Sequence, residues 1–407
     1  KSCPIGQAHF TGEPGCTVVG QPCPSGDFPA VPSGVTVRYV RAGALGGDGS
    51  LAAPYGSLAS AVAGAAPGTV LALAAGTLRE VVQLPAGLRV LGACAERTVL
   101  EAPVLTDTFT VTGLGVSLEN LRVRGYLDGV KVLAGASLKL EGVVLQDHAR
   151  KGLLIAGGQA EAHDLVVAAT VGYLGADSAG IGVQAGGQLT LRRGVVSGNQ
   201  GAGIALTDAG TLATLEDVAI HGTIERNTSQ LPIELSVFGN AQVRVARAYL
   251  GENDHIGVWL VSGASAELDQ VVIREVRGDG VIVAARSTLS LRRSQLHELG
   301  GALLASNLAR MSGDDLVLHG TRSLSIGVLV HDRTTATLRR SILQGARQVG
   351  IGVFDATASI ALEDVDVSRI TESTCASNDC PAYRGAGAAL GSYHGATLTA
   401  RRFRVSG

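Results

Sequence analysis

Acid–base work on a polymer needs Asp, Glu, His, Lys, Arg or Tyr side chains gathered on one face of a rigid scaffold. The chain has nine histidines in 407 residues. Seven of them, His148, His163, His221, His255, His297, His319 and His331, are expected at different points of the repeat described below. Each therefore reads as a solvated or capping residue. Asp314-Asp315 is a paired carboxylate with no His or Lys at a helpful spacing. There is no metal motif, nucleophile elbow or phosphate loop, and strings such as GAGIAL are repeat glycines. The chemistry-bearing residues to watch lie in long connections: Tyr173 and Asp177, Glu225 and Arg226, Tyr383 and Arg384.

The six cysteines point to an oxidising compartment. Cys3, Cys16 and Cys23 fall in a Pro/Gly-rich leader over 1–35, and Cys94 follows. Cys375 and Cys380 flank four polar residues, a spacing that suits a local disulfide. Three pairings remain open for the other four. No histidine stands at zinc-ligand spacing from either group. A net charge of −2 leaves no footprint for nucleic acid, and no run of eighteen apolar residues could span a bilayer. A secreted, periplasmic or cell-surface location is expected.

The elements that would carry such residues are set by an eight-residue pattern, apolar-x-apolar-x-x-apolar-x-apolar. It reads VSLENLRV from Val116, LKLEGVVL from Leu138, AEAHDLVV from Ala160 and LTLRRGVV from Leu189, and it recurs to LTARRFRV from Leu398. There are twelve copies; seven of the eleven spacings lie between 22 and 24 residues. Alternation of period two means strands, and the x-x break marks a corner. A shorter strand follows each copy, usually Gly-apolar-x-apolar, as in GVKV from Gly129, GVWL from Gly257 and GALL from Gly301. No helix-length segment separates the strands. One turn cannot bury its apolar face alone, so the pattern predicts stacked coils with a thin aliphatic core. Only 3% of residues are aromatic, which fits such a core.

Residues 36–115 differ from the repeats of 116–407. An amphipathic stretch from about Ser57 to Ala65 predicts a short helix over the open end, stopped by Pro67-Gly68. The run GGDGS…APYGSLASAV…APGTVLALAAGTLRE resembles the opening of right-handed parallel β-helix proteins of the superfamily that includes pectin and pectate lyases. The likeness is closest to repeat-rich secreted or surface proteins of myxobacterial type and covers 36–407. It implies an all-β right-handed parallel β-helix solenoid. It also implies an open choice of activity, because that superfamily holds lyases, hydrolases, epimerases and proteins without catalysis. The chain stops one strand into a coil at Gly407, so a longer native protein is expected.

Two residues stand at each x-x corner, and their charges alternate: Arg192-Arg193, Glu216-Asp217, then later Arg292-Arg293, Asp314-Asp315, Arg339-Arg340, Glu363-Asp364 and Arg401-Arg402. Coils stack about 4.8 Å apart, so this reads as an ion-pair ladder that favours register. Related lyases hold Ca²⁺ through stacked carboxylates; interleaved arginines argue against that here, and no cofactor is expected outside an enzymatic reading.

The outward row of the second strand is read as Lys131, Leu154, Gly182, Ala205, Glu234, Trp259, Ile282, Leu303, Leu329, Gly352 and Ala389. Trp259, Ile282, Leu303 and Leu329 form an apolar strip suited to a partner. The leading functional expectation is therefore an extracellular structural or adhesive module that binds protein, glycan or itself. The alternative is a lyase, hydrolase or epimerase acting on an acidic glycan. A compact Asp/Arg/Lys cluster beside the long loops would favour the alternative.

Overall fold

A computed structural model of the chain describes residues 3–172, 178–225, 231–321, 326–347, 349–371 and 388–406. Tyr173, Asp177, Arg226, Cys375, Cys380, Tyr383 and Arg384 lie outside them. The chain divides into two compact units, Lys1–Ala219 and Ile220–Gly407. Each is built of coils of a right-handed parallel β-helix, with a first sheet made by the octads and a second sheet made by the shorter strands.

In the N-terminal unit the octad strands Val116–Arg124, Ser137–Gln146, Gln159–Ala168 and Gln188–Ser197 pair in parallel, and Leu118, Leu140, Ala162 and Leu191 share one register. The four apolar positions of an octad point inward: Val116, Leu118, Leu121 and Val123 are at most 1% exposed. Each such aliphatic burial contributes about 1.5–3 kcal/mol. The second sheet of this unit runs from Val82–Leu84 and Phe109–Val111 through Asp128–Val132 and Lys151–Ala156 to Ala179–Gln184 and Ala202–Leu206. The C-terminal unit repeats the plan, with octad strands such as Gln242–Asn253 and Ser265–Val276, and second-sheet strands such as Ile256–Val261 and Asp279–Val283.

The corner has a backbone cause. The fifth residue of all twelve octads has a positive φ, between 44° and 63°: Asn120, Gly142, Asp164, Arg193, Asp217, Arg247, Gln270, Arg293, Asp315, Arg340, Asp364 and Arg402. One left-handed residue turns the strand, and the same register resumes on its far side. Asn, Asp and Gly take that conformation readily, whereas arginine does so at a steric cost of about 1–2 kcal/mol. The arginines are held there by the carboxylates expected from the sequence. Arg340 Nε donates to Asp315 Oδ1 at 2.8 Å, Arg293 Nε to Asp269 Oδ1 at 2.8 Å, and Arg402 reaches both Glu363 and Asp364. Within the N-terminal unit Arg192 pairs with Glu216 at 3.2 Å, and Arg193 with Asp164.

The helix α1, Leu58–Val62, is shorter than the sequence suggested, and packs on the strands Val37–Val40, Val70–Leu73 and Val82–Leu84 that begin the two sheets. Coil side chains satisfy both its ends. Glu80 accepts from the Leu58 and Ala59 N–H groups at 2.8 and 2.9 Å, and Arg38 donates to the carbonyls of Ala61, Ala63 and Gly64.

The leader is not a free tail. Cys3 bonds to Cys16, and Cys23 bonds to Cys94, which resolves the pairing that the sequence left open. It crosses the corner ladder of the N-terminal unit. Gly20 packs so close to Gly142 that a Cβ on Gly142 would lie 2.4 Å from its Cα. Gln21 N–H donates to Asn120 Oδ1 at 3.0 Å. Further along, Glu13 accepts from Arg193, whose guanidinium lies 3.9 Å from the centroid of the buried Phe10 ring.

Candidate functional site

The second sheet of the N-terminal unit carries a compact charged group on its outer face. Asp128 and Lys151 begin neighbouring strands in register, and Lys131 lies in line with Leu154 and Gly182. Asp107 stands just before the preceding strand. Its Oδ1 accepts from the Asp128 N–H at 3.3 Å, and its Oδ2 from Lys131 Nζ at 3.4 Å. Arg150 Nε donates to Asp128 Oδ1 at 3.0 Å, and its Nη2 lies 4.0 Å from Asp107 Oδ1. Asp128 is fully buried, whereas Lys131 and Arg150 keep about 30% of their side chains in solvent. The hydrogen bonds from Arg150 to Asp128 hold that guanidinium's pKa above its ordinary value, against the effect of burial.

Glycine shapes the floor. A Cβ at Gly182 would meet Cδ and Cε of Lys151 at 2.6 Å, so the lysine stem lies flat across that position. His148 sits beneath the strand, fully buried, with Nδ1 3.0 Å from the Gly125 carbonyl. Burial pushes its pKa down to about 4, so it is a neutral structural imidazole. The connection to Ala179 leaves beside the group: Val171 N–H donates to the His148 carbonyl at 2.8 Å and Ala179 N–H to the Arg150 carbonyl at 3.1 Å. Three cations and two carboxylates thus come together, with Asp128, Lys131 and Lys151 on paired strands and Asp107 and Arg150 in the turns just before them. Their positions are fixed by pairing between coils before any ligand arrives. Such a group can bind a carboxylate and polarise the carbon next to it.

Sequence reasoning missed this group because its members sit at strand starts and in turns, outside the octad. The register of the Gly-apolar strands, which lines Asp128 up with Lys151, was the usable signal.

In the C-terminal unit the expected apolar row is present with corrections. Ser236, Trp259, Ile282, Leu304 and Leu329 share one register, with Gly352 and Gly391 beyond. Leu303 is 2% exposed and belongs to the core. The Gly-Gly pair at 300–301 misled the reading: Gly301 aligns with Asp279, so Ala302 takes the glycine position and the outward residue moves to Leu304. Glu234 and Ala389 likewise lie two residues off the row. Trp259 is half-buried, with Phe238 edge-on at 5.1 Å. Phe354 and Tyr393, which the sequence reading passed over, stack at 4.6 Å above Gly352 and Gly391. Glu225 is exposed.

Two further corrections concern titratable groups. His297 and His319 are in register on adjacent coils, with ring centroids 6.0 Å apart, and His221 takes the same place after its octad. Three of the seven histidines, His221, His297 and His319, therefore do share a position, one residue past the octad. Glu234 is buried at a glycine position of the repeat. It accepts from the Thr223 N–H at 3.2 Å and from the Thr223 hydroxyl. Burial outweighs those hydrogen bonds and raises its pKa to about 7.

The fold is that of right-handed parallel β-helix proteins. Pectate lyase Pel9A is similar over 68% of this chain and 79% of its own, with 17% identity and a TM-score of 0.53. The A-module of the Azotobacter vinelandii mannuronan C-5 epimerase AlgE4 aligns with 86% of this chain and 94% of its own, at 16% identity and a TM-score of 0.49. The Agl-KA catalytic domain aligns with 92% of this chain and 70% of its own, at 11% identity and a TM-score of 0.49. No protein-family model and no curated protein sequence matches the chain.

Proposed function

We propose that the protein processes an acidic glycan in an extracellular setting, and that the Asp107–Asp128–Lys131–Arg150–Lys151 group is its site. The carrying observation is that group: partly exposed cations held on a β-helix face by carboxylates of neighbouring coils. Arg150 and Lys131 are placed to take a uronate carboxylate, which makes the proton on the adjacent carbon more acidic. Transfer of that proton to a base gives elimination when the glycosidic oxygen on the next carbon departs, or epimerisation when a proton returns from the opposite face. The likeness in fold to a pectate lyase supports this reading. The test is a panel of uronate polymers, with and without Ca²⁺, read for unsaturated ends, inverted C5 centres and reducing ends. We expect turnover of at least one polymer and its loss, by tenfold or more, in Arg150→Ala and Lys131→Ala. A silent panel with no binding to any uronate polymer would overturn the proposal.

A second reading, an adhesive module, is favoured by the row Trp259, Ile282, Leu304 and Leu329 in the C-terminal unit. It expects Trp259→Asp to abolish surface binding or self-association. Unchanged binding would remove it.

A further inference from the structure

On the outer face of the first sheet in the N-terminal unit, one rung of the ladder differs from the rest. Glu119, Glu141, His163 and Arg192 occupy one register column on successive coils. Arg89 takes Glu119 with a two-pronged contact at 2.8 and 2.6 Å. Glu141 faces an imidazole: His163 Nδ1 lies 3.1 Å from Glu141 Oε1 and 3.3 Å from Asp164 Oδ1.

We propose that Glu141, His163 and Asp164 bind a divalent transition-metal ion of the Zn²⁺ type. The donor set is one imidazole nitrogen and two carboxylate oxygens, the mixture such ions prefer and Ca²⁺ does not. Metal–ligand bonds of about 2.0–2.2 Å put the corners of a tetrahedron about 3.3–3.6 Å apart. The two distances from Nδ1 are close to that edge, and all three donor atoms fall within 4.8 Å of one another. The positive φ of Asp164 turns its carboxylate toward the His163 side chain, so the corner conformation itself builds two of the corners. The third comes from the neighbouring coil.

The surroundings supply rigidity and access. Asp164 is 8% exposed, and the leader touches the ladder on both sides of it, at Gly142 and at Arg193. Arg193 also contacts Asp164 Oδ1, so the ion must share that carboxylate with it. Lys139 partners Glu141, Arg193 partners Glu13 and Asp164, and Arg192 stands beside His163 on the next coil, so an ion must compete with these cations for the carboxylates. The side chains of Glu141 and His163 are 35% and 47% exposed, so the remaining position of a four-coordinate ion opens to solvent. This face is separate from the charged group on the second sheet, and the inference does not depend on the proposed activity.

The test is a Co²⁺ titration of the full chain followed by visible absorption, with Zn²⁺ as competitor. We expect the strong bands of four-coordinate Co²⁺ to saturate at one ion per chain, and Zn²⁺ to erase them. His163→Ala abolishes the bands, Glu141→Gln weakens binding at least tenfold, and His297→Ala changes nothing. Circular dichroism checks that each variant is folded; His163 is exposed, and Glu141 and His297 are half-buried. Absence of the bands at millimolar Co²⁺, or the same titration in His163→Ala, overturns the proposal. So does loss of binding in His297→Ala.

Discussion

Two buried ionisable residues, one in each unit, have opposite signs in their linkage to pH. Glu234 is raised from 4.5 to about 7. Between those values the folded C-terminal unit holds a proton that the unfolded chain has released. Stability therefore falls as pH rises through this window, and is flat above it. The interval corresponds to roughly 3 kcal/mol. We expect Glu234→Gln to remove the slope between pH 4.5 and 7 in denaturant melts; a slope that persists would place its origin elsewhere. His148 is lowered from 6.5 to about 4. Here the unfolded chain binds the proton first, so stability of the N-terminal unit is lost as pH falls from 6.5 toward 4. Asn199 stands at the corresponding place, three residues past its octad, and bonds to the coil through the Thr170 N–H and the Val167 carbonyl. His148→Asn should therefore fold and lose the acid-side dependence, read in the same melts. Neither shift was legible in the sequence. An E in PIEL or an H in DHAR gives no hint of burial, because only the three-dimensional corner places both side chains inside.

At the scale of the element, the octads were legible because period-two alternation and the corner position repeat twelve times. Register inside the second sheet was less so. GALL reads as well as ALLA until hydrogen bonding aligns Gly301 with Asp279. The left-handed corner was hidden, since arginine gives no sign of a positive φ; only Asn120, Gly142 and the aspartates hint at it. Gly142 shows why one rung lost its side chain. It has φ 63° and the leader passes over it at van der Waals range. Gly142→Ala pairs a modest backbone cost, about 1–2 kcal/mol, with a clash against backbone that cannot rotate away. We expect the leader to be displaced, measured as faster proteolysis within residues 1–35, while the coils keep their circular dichroism. Unchanged proteolysis would mean that the leader tolerates the methyl group. In the core, Leu140→Ala should cost about 2–5 kcal/mol in the N-terminal unit, because stacked coils leave little slack to fill the cavity.

For the whole molecule, the aliphatic core is supplemented by covalent ties. Among the described residues every cysteine is paired, and no helix is long and apolar enough to cross a membrane. Two disulfides in such a chain fit an oxidising, extracellular compartment. Their placement has a mechanical meaning. Cys3–Cys16 closes a loop within the leader, whereas Cys23–Cys94 spans 71 residues and ties the leader to the coils. Closing a loop of that length restricts the unfolded chain by about 4 kcal/mol in the chain-entropy description. The leader adds the Phe10–Arg193–Glu13 contact farther along the same unit. If the tie acts by holding this strap in place, Cys23→Ser with Cys94→Ser should lower the stability of the N-terminal unit by about 2–4 kcal/mol. It should also raise hydrogen exchange at Arg193 and Asn120, two of the corners that the leader contacts. Exchange that stays slow at both corners while stability falls would show that the disulfide acts on the unfolded chain alone and that the strap holds without it.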